Sequence, residues 1–213
     1  MKILNLYACL GGNRYKWDEV TDVDVTAVEW DEELARLYQE RFPQDKVIVA
    51  DAHQYLLDHY KEFDFIWSSP PCPTHSRINI SMKTKRKMKY PDMRLYQEII
   101  FLDNYFTGKY VVENVIPFYE PLITAHKRHR HLYWTNFKLP NNLSSRYNPD
   151  LSRTKNLIDA LSDFHDYDFR KYKGEQAMNK VARNLVDYEA GKTILETAIG
   201  VITKQNVKQT ELF

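Results

Sequence analysis

Short β-prone runs alternate with longer charged segments through the first two-thirds of this 213-residue chain, and that alternation restricts the fold more than any other feature. The runs fall at residues 3–7, 23–28, 47–50, 63–67 and 110–112. Between them lie segments with helical spacing: 31–42, where Leu34, Leu37, Tyr38 and Arg41 share a face; 53–60; and 91–105, where Leu95, Ile99 and Leu102 recur at helical steps. Strand and helix in this rhythm read as βαβ units, hence a Rossmann-like α/β fold with a mostly parallel sheet and helices on both faces. From 139 to about 174 the pattern weakens into Asn, Ser, Asp and Tyr, with no recognition helix evident, and a last helical stretch spans 189–201.

Composition narrows the function. Hydrophobic residues at 43% and charged residues at 28% give a globular core, and a net charge of +1 means that any nucleic-acid footprint must be local. Two cysteines, Cys9 and Cys72, leave no disulfide framework or Cys-rich zinc site, fit a reducing cytoplasm, and give no reason to expect a metal. No apolar run approaches the ~20 residues that span a bilayer, and the start of the chain does not read as a signal peptide. A soluble, cytoplasmic protein without membrane contact is expected.

In open parallel sheets, ligands bind beyond the carboxyl ends of the strands. The first strand runs into Tyr7-Ala8-Cys9-Leu10-Gly11-Gly12, where adjacent glycines allow a sharp turn and a close approach to a ligand. The second ends in Glu29-Trp30: a carboxylate that can accept both hydrogen bonds of a ribose diol and an indole that can lie on a purine. The third ends in Asp51, either an adenine-amino acceptor or an N-cap for the following helix. Together these suit an adenosine pocket, and with no Lys or Ser/Thr after the glycines a nucleoside triphosphate is disfavoured. The fourth strand ends in Ser68-Ser69-Pro70-Pro71-Cys72-Pro73-Thr74-His75-Ser76, where prolines hold a nucleophilic thiol outside regular structure. The fifth carries Glu113-Asn114 between valines, and a partly buried Glu there would hold a proton near neutral pH.

Pro-Pro-Cys followed by Glu-Asn-Val behind an adenosine-type pocket resembles the cytosine-5 DNA methyltransferase family, over roughly residues 3–137 and again, weakly, at Asn184-Leu185-Val186. The resemblance implies the class I S-adenosylmethionine-dependent methyltransferase fold and that cofactor. It places Tyr7, Ala8, Cys9, Gly11 and Gly12 on the cofactor loop, with Cys9 standing where the family has Gly. Glu29, Trp30, Asp51, Ala52 and Pro70 complete the cofactor site by the same resemblance. Cys72 falls on the nucleophile, Glu113 on the residue that binds and protonates cytosine N3, and Asn114 beside it. The family's Gln-x-Arg-x-Arg appears as His126-Lys127-Arg128-His129-Arg130, which adds Arg128 and Arg130 to the catalytic set, Arg130 toward the cytosine carbonyl oxygen.

The segment 77–94 carries seven basic side chains against one acid, directly after the nucleophile. Ser76, Arg77, Lys83, Lys85, Arg86 and Lys87 are therefore expected to clamp DNA phosphates and close over a flipped base. The chain divides into a catalytic and cofactor-binding region 1–138, a reduced target-recognition region 139–174, a returning C-terminal segment 175–207 and a tail 208–213. Gln209, Leu212 and Phe213 resemble a Gln-x-x-Leu-Phe peptide that binds the bacterial sliding clamp; folding back onto the domain is the other reading. The expectation is a monomeric DNA cytosine-5 methyltransferase of compact bacterial or phage type. A tRNA cytosine-5 methyltransferase and a non-catalytic DNA-binding protein with a relic site are the alternatives.

Overall fold

The computed structural model describes residues 1–81, 87, 89–143, 146, 149 and 155–201. Five strands run parallel: β1 (Lys2–Leu6), β2 (Asp24–Glu29), β3 (Lys46–Val49), β4 (Phe65–Ser68) and β5 (Lys109–Val115). A hairpin of β6 (His126–Arg128) and β7 (His131–Thr135) completes a seven-stranded sheet of order β3-β2-β1-β4-β5-β7-β6, with β7 antiparallel to β5. The helices are α1 (Glu32–Arg41), α2 (Ala52–His59), the five-residue α3 (Arg77–Ser81), α4 (Arg94–Tyr105), α5 (Leu157–His165), α6 (Met178–Asn184) and α7 (Tyr188–Ala198). None is long and apolar enough to cross a membrane among the described residues.

The pleat divides each parallel strand between two cores. Leu4 and Leu6 of β1, Ile66 of β4 and Tyr110 and Val112 of β5 face α2 and α4, where Leu56, Leu95, Ile99 and Leu102 are buried. Ile3, Phe65, Trp67 and Val111 face the other way, onto Trp17, Leu139, Leu143 and the Ala190, Ile194 and Leu195 face of α7. Helices cover both faces of a mostly parallel sheet, as the sequence pattern predicts. The β1–β2 connection contributes only a single 3-10 turn at Trp17–Glu19, so α7 returns from the far end of the chain to cover this part of the sheet.

The first two-thirds match the predicted elements to within a few residues. Asp51 does cap α2, accepting from Gln54 N at 3.0 Å, and Asp31 caps α1 through Glu33 N and Leu34 N. The helix expected from 91 starts instead at Arg94, because Asp92 accepts from Arg94 N and closes a turn after Pro91. Two differences are larger. β6 and β7 have no counterpart in the predicted strands, and α5 lies within the stretch where no helix is evident from the sequence. Leu161 of α5, with Phe169 and Tyr172, packs against Leu34 and Leu37 of α1 and Val181 and Ala182 of α6.

The loop after β1 and the C-terminal segment meet at glycines. A Cβ at Gly12 would stand 2.5 Å from the Val186 carbonyl oxygen, and one at Gly191 would stand 2.2 Å from that of Asn13. Gly191 lies inside α7, where Ala would be favoured by about 1 kcal/mol on helix propensity alone. Overpacking against rigid backbone costs about 1–3 kcal/mol, so the contact outweighs propensity. Gly191→Ala is therefore expected to lower the urea midpoint, by up to roughly 2 kcal/mol of stability. A raised midpoint would mean that α7 and the β1 loop do not bear on each other.

Candidate active site

The strand order reverses between β1 and β4, and their carboxyl ends part there to open a crevice. A cavity of about 520 Å³ occupies it, within the usual size for a small-molecule site. Tyr7 and Cys9 line it from the end of β1, Glu29 and Trp30 from β2, and Asp51 and Ala52 from β3 and the start of α2. Pro70 and Cys72 come from the loop after β4, and Glu113 and Asn114 from β5.

The half of the cavity nearer β2 is built by a bent loop. Tyr7 (φ +56°), Cys9 (φ +47°) and Gly11 (φ +66°) all adopt the left-handed backbone that favours glycine, which accounts for a Gly at the Cys9 position in the family pattern. The bend is held from outside. The Glu29 carboxylate accepts from Cys9 N at 2.8 Å and from Trp30 N and Asp31 N at 3.0 Å each. Three of its roughly four acceptor directions are thereby used, leaving one hydroxyl of a ribose to be met rather than the two expected from sequence. Trp30 is 71% exposed at the rim, a flat apolar face with nothing stacked on it. Asp51 turns one oxygen to its helix cap, while its other lies 3.8 Å from Arg94.

Beneath the loop lies a buried polar cluster that the sequence does not reveal. The fully buried Glu98 of α4 accepts from Tyr7 Oη and Ser68 Oγ, both at 2.6 Å, and its Oε1 lies 2.9 Å from His53 Nδ1. The Tyr7 hydroxyl is thus a tether to α4. Burial, with Glu98 adding to it, pushes the Tyr7 phenol well up.

The other half carries two reactive groups. Asn114 Nδ2 donates to the Pro70 carbonyl at 2.9 Å, binding the proline-rich loop to β5, and Asn114 Oδ1 accepts from Val115 N. The Cys72 carbonyl accepts from His75 N and Ser76 N, closing a tight turn around the thiol. Burial and the nearby Glu113 push that thiol up to about 11, against the pull of Lys180 and Arg130. Burial likewise raises the Glu113 carboxyl to about 7, against a hydrogen bond with Ser69 and the charge of Arg130. His131 lies 3.6 Å from Glu113 and is held neutral, pushed down to about 4 by burial and by Arg130. At neutral pH the cavity therefore presents a thiol beside a carboxyl that is half protonated.

Some expected residues lie elsewhere. Ala8 is buried against Ala27, Tyr38 and Phe42, Gly11 faces Tyr38 and Phe42, and Gly12 faces Leu185 and Val186. The turn is so tight that these three serve packing and do not line the cavity. Arg128 sits on the edge strand β6, also outside the lining, whereas Arg130 in the following turn is close enough to act electrostatically on both Cys72 and Glu113. Ser76 forms an isolated bridge to Pro117, Arg77 is exposed at the start of α3, and Lys87 is exposed. Lys83, Lys85 and Arg86, and the tail residues Gln209, Leu212 and Phe213, lie outside the described residues. Conversely, Gln176, Lys180, Arg183 and Asn184 line the cavity without having been singled out by spacing, apart from the Asn184-x-Val186 match. No group of three or more His, Cys, Asp or Glu fit to hold a metal occurs among the described residues.

The sheet order and a cavity at its switch point define the class I S-adenosylmethionine-dependent methyltransferase fold. A family model described as C-5 cytosine-specific DNA methylase matches residues 1–121, more than half of the chain, and the chain belongs to that family. Among solved structures, the Entamoeba histolytica methyltransferase EhMeth aligns at 10% identity over 95% of this chain and 98% of its own, with a TM-score of 0.55. A triple mutant of Spodoptera frugiperda DNMT2 aligns at 20% identity and a TM-score of 0.44, over 70% of this chain; the chain spans 53% of that protein's length. No curated protein matches the chain.

Glu113 gives the site a pH signature. In the unfolded chain its carboxyl ionises near 4.5, but in the fold only near 7. Between those values the unfolded state releases a proton that the folded state retains, so stability is lost as pH rises. The loss is on the order of 3 kcal/mol for a shift of this size. Glu113→Gln removes it, so the stability of the variant relative to wild type should climb from pH 5 to pH 8 in urea titrations. A difference independent of pH would show that Glu113 ionises normally.

Proposed function

We propose that the chain methylates C5 of a cytosine in DNA, using S-adenosylmethionine and a covalent adduct at Cys72. One observation carries the reading: Cys72 and a carboxyl that titrates near 7 share a cavity with an exposed indole and a ribose-type acceptor. The family match supplies cytosine C5 as the methylated atom, and the basic segment 77–94 supports a polyanionic substrate.

The cofactor's residues suit it on structural grounds. Trp30 offers its free face to the adenine, Glu29 retains one acceptor for a ribose hydroxyl, and Asp51 stands at the edge where an amino group would lie. When bound, the cofactor supplies an electrophilic methyl group to the cavity.

Cytosine C5 is a poor nucleophile until C6 is attacked. The Cys72 thiol loses its proton to water and the thiolate adds to C6 while Glu113 donates a proton to N3, and the electron pair of the 5,6 double bond becomes available at C5. Protonated Glu113 also removes the negative charge that raises the Cys72 thiol, so a single proton favours both partners. Arg130 offsets charge at the cytosine carbonyl oxygen. After methylation, loss of the C5 proton and departure of Cys72 restore the aromatic ring, and the N3 proton returns to Glu113. The base must first leave its helix, at a cost of about a few kcal/mol.

Transfer of labelled methyl groups to DNA and, separately, to tRNA tests the reading. DNA should be labelled, Cys72→Ser should label nothing while still binding the cofactor, and Glu113→Gln should slow the chemical step about 10²–10⁴-fold. Labelling of tRNA alone would overturn the choice of DNA, and labelling of DNA by Cys72→Ser would overturn the covalent route.

A further inference from the structure

Helix α6 has two faces. Val181 and Ala182 are buried against α1 and α5, while Lys180, Arg183 and Asn184, neighbours at helical spacing, face the cavity. The approach to α6 is anchored to the adenosine side of the site: Gln176 Nε2 donates to Asp31 Oδ2 at 2.8 Å, and Tyr172 Oη donates to the same atom at 3.2 Å. The helix therefore lines the same cavity as the proline-rich loop, with Lys180 close enough to act on the thiol.

Among the described residues these cations form no ion pair. Lys180 Nζ hydrogen-bonds only the neutral Gln176 Oε1, at 2.7 Å, and no described carboxylate forms an ion pair with Lys180, Arg183 or Arg130. Burial, then the Arg183 charge, lowers the Arg130 guanidinium, so the two lie close enough to repel each other. Glu113 is the acid that Arg130 feels, and near neutral pH it is half protonated. Elsewhere in the molecule crowded cations are paired: buried Arg14 holds both Asp18 and Asp45, and Lys16 and Lys192 hold Glu189 and Glu19. Three cations gathered with no ion pair among the described residues, beside a cavity that takes a base, leave room for a negative charge brought in by the ligand.

We propose that Lys180 and Arg183 of α6 form a clamp for the phosphodiester of the nucleotide whose base enters the cavity, leaving Arg130 to the base itself. The clamp rests on the nucleic-acid reading above and deepens it. Arg183 can chelate two phosphate oxygens through its planar fork, and Lys180 provides a mobile point charge beside the thiol.

Binding of single-stranded oligodeoxycytidylate at several salt concentrations tests the clamp for DNA or RNA methylation alike, because it does not depend on a target sequence or on turnover. Each phosphate contact contributes about −0.7 to the slope of log K against log salt on single strands. Lys180→Gln and Arg183→Gln should each flatten the slope by about 0.7 and the double variant by about 1.4, with cofactor affinity unchanged. Both side chains are exposed, and a matching thermal midpoint will verify that the variants fold. An unchanged slope in the double variant, or no binding of the oligonucleotide by the wild type, overturns the clamp. Methyl transfer by the wild type, measured separately, shows whether the catalytic reading stands.

Discussion

The hydrogen bond from Asn114 Nδ2 to the Pro70 carbonyl joins two parts of the chain that carry the chemistry. β4 and β5 are parallel neighbours, so their carboxyl ends emerge on the same side, and the proline-rich loop between them is further tied by the Ser76–Pro117 bridge and by Phe118 N donating to the His75 carbonyl. The Asn114 amide at the end of β5 holds it nearest the thiol, at Pro70, and Cys72 lies in the cavity that Glu113 lines. With Oδ1 occupied by Val115 N, the amide is oriented from both ends, which is why an aspartate could not replace it without losing the donor. The electrostatics depend on this closeness: the thiol is raised by Glu113, and both groups feel Arg130.

The cofactor half depends on a different constraint, a backbone forced into left-handed conformations and then braced. Glu29 braces it from β2, the Tyr7–Glu98 bond from α4, and the C-terminal segment from outside through Gly12 and Gly191. Left-handed Tyr and Cys residues each carry a strain of about 1–3 kcal/mol, which persists only where surrounding contacts over-determine the bend. In this chain those contacts come from β2, α4 and α7. The last helix is thus a structural partner of the first loop, and the cavity wall at α6 hangs from the same return of the chain.

The parallel sheet was legible because its strands are apolar on both faces and its helices carry a clear spacing, so that 31–42 and 53–60 read correctly as helices, with Asp51 capping the second as one of its two readings had it. β6 and β7 were not, since His126-Lys127-Arg128 is polar and pairs only as an edge, and His131–Thr135 carries no alternation that sets it apart from a loop. α5 was hidden differently: its Leu157, Ile158 and Leu161 stand at helical spacing, but lie among Asn, Ser and Asp that dilute the signal. At the site, residues on strand ends such as Glu29, Cys72 and Glu113 could be placed by topology alone. Lys180 and Arg183 could not, because what brings them to the cavity is a tertiary contact between Gln176 and Asp31. Glu98 was equally invisible, as a single carboxylate in the middle of an amphipathic helix.

Adduct formation between Cys72 and C6 of the base is the step on which the catalytic reading turns. DNA carrying 5-fluorocytosine blocks the last stage, because fluorine at C5 does not leave as a proton does. Incubation with the protein and S-adenosylmethionine, followed by denaturing electrophoresis and peptide mass analysis, reads the outcome directly. The result expected is a complex stable to denaturation, with the modified base attached to the peptide containing Cys72. Methylation of ordinary cytosine DNA without any such complex, or an adduct on another residue, would contradict it.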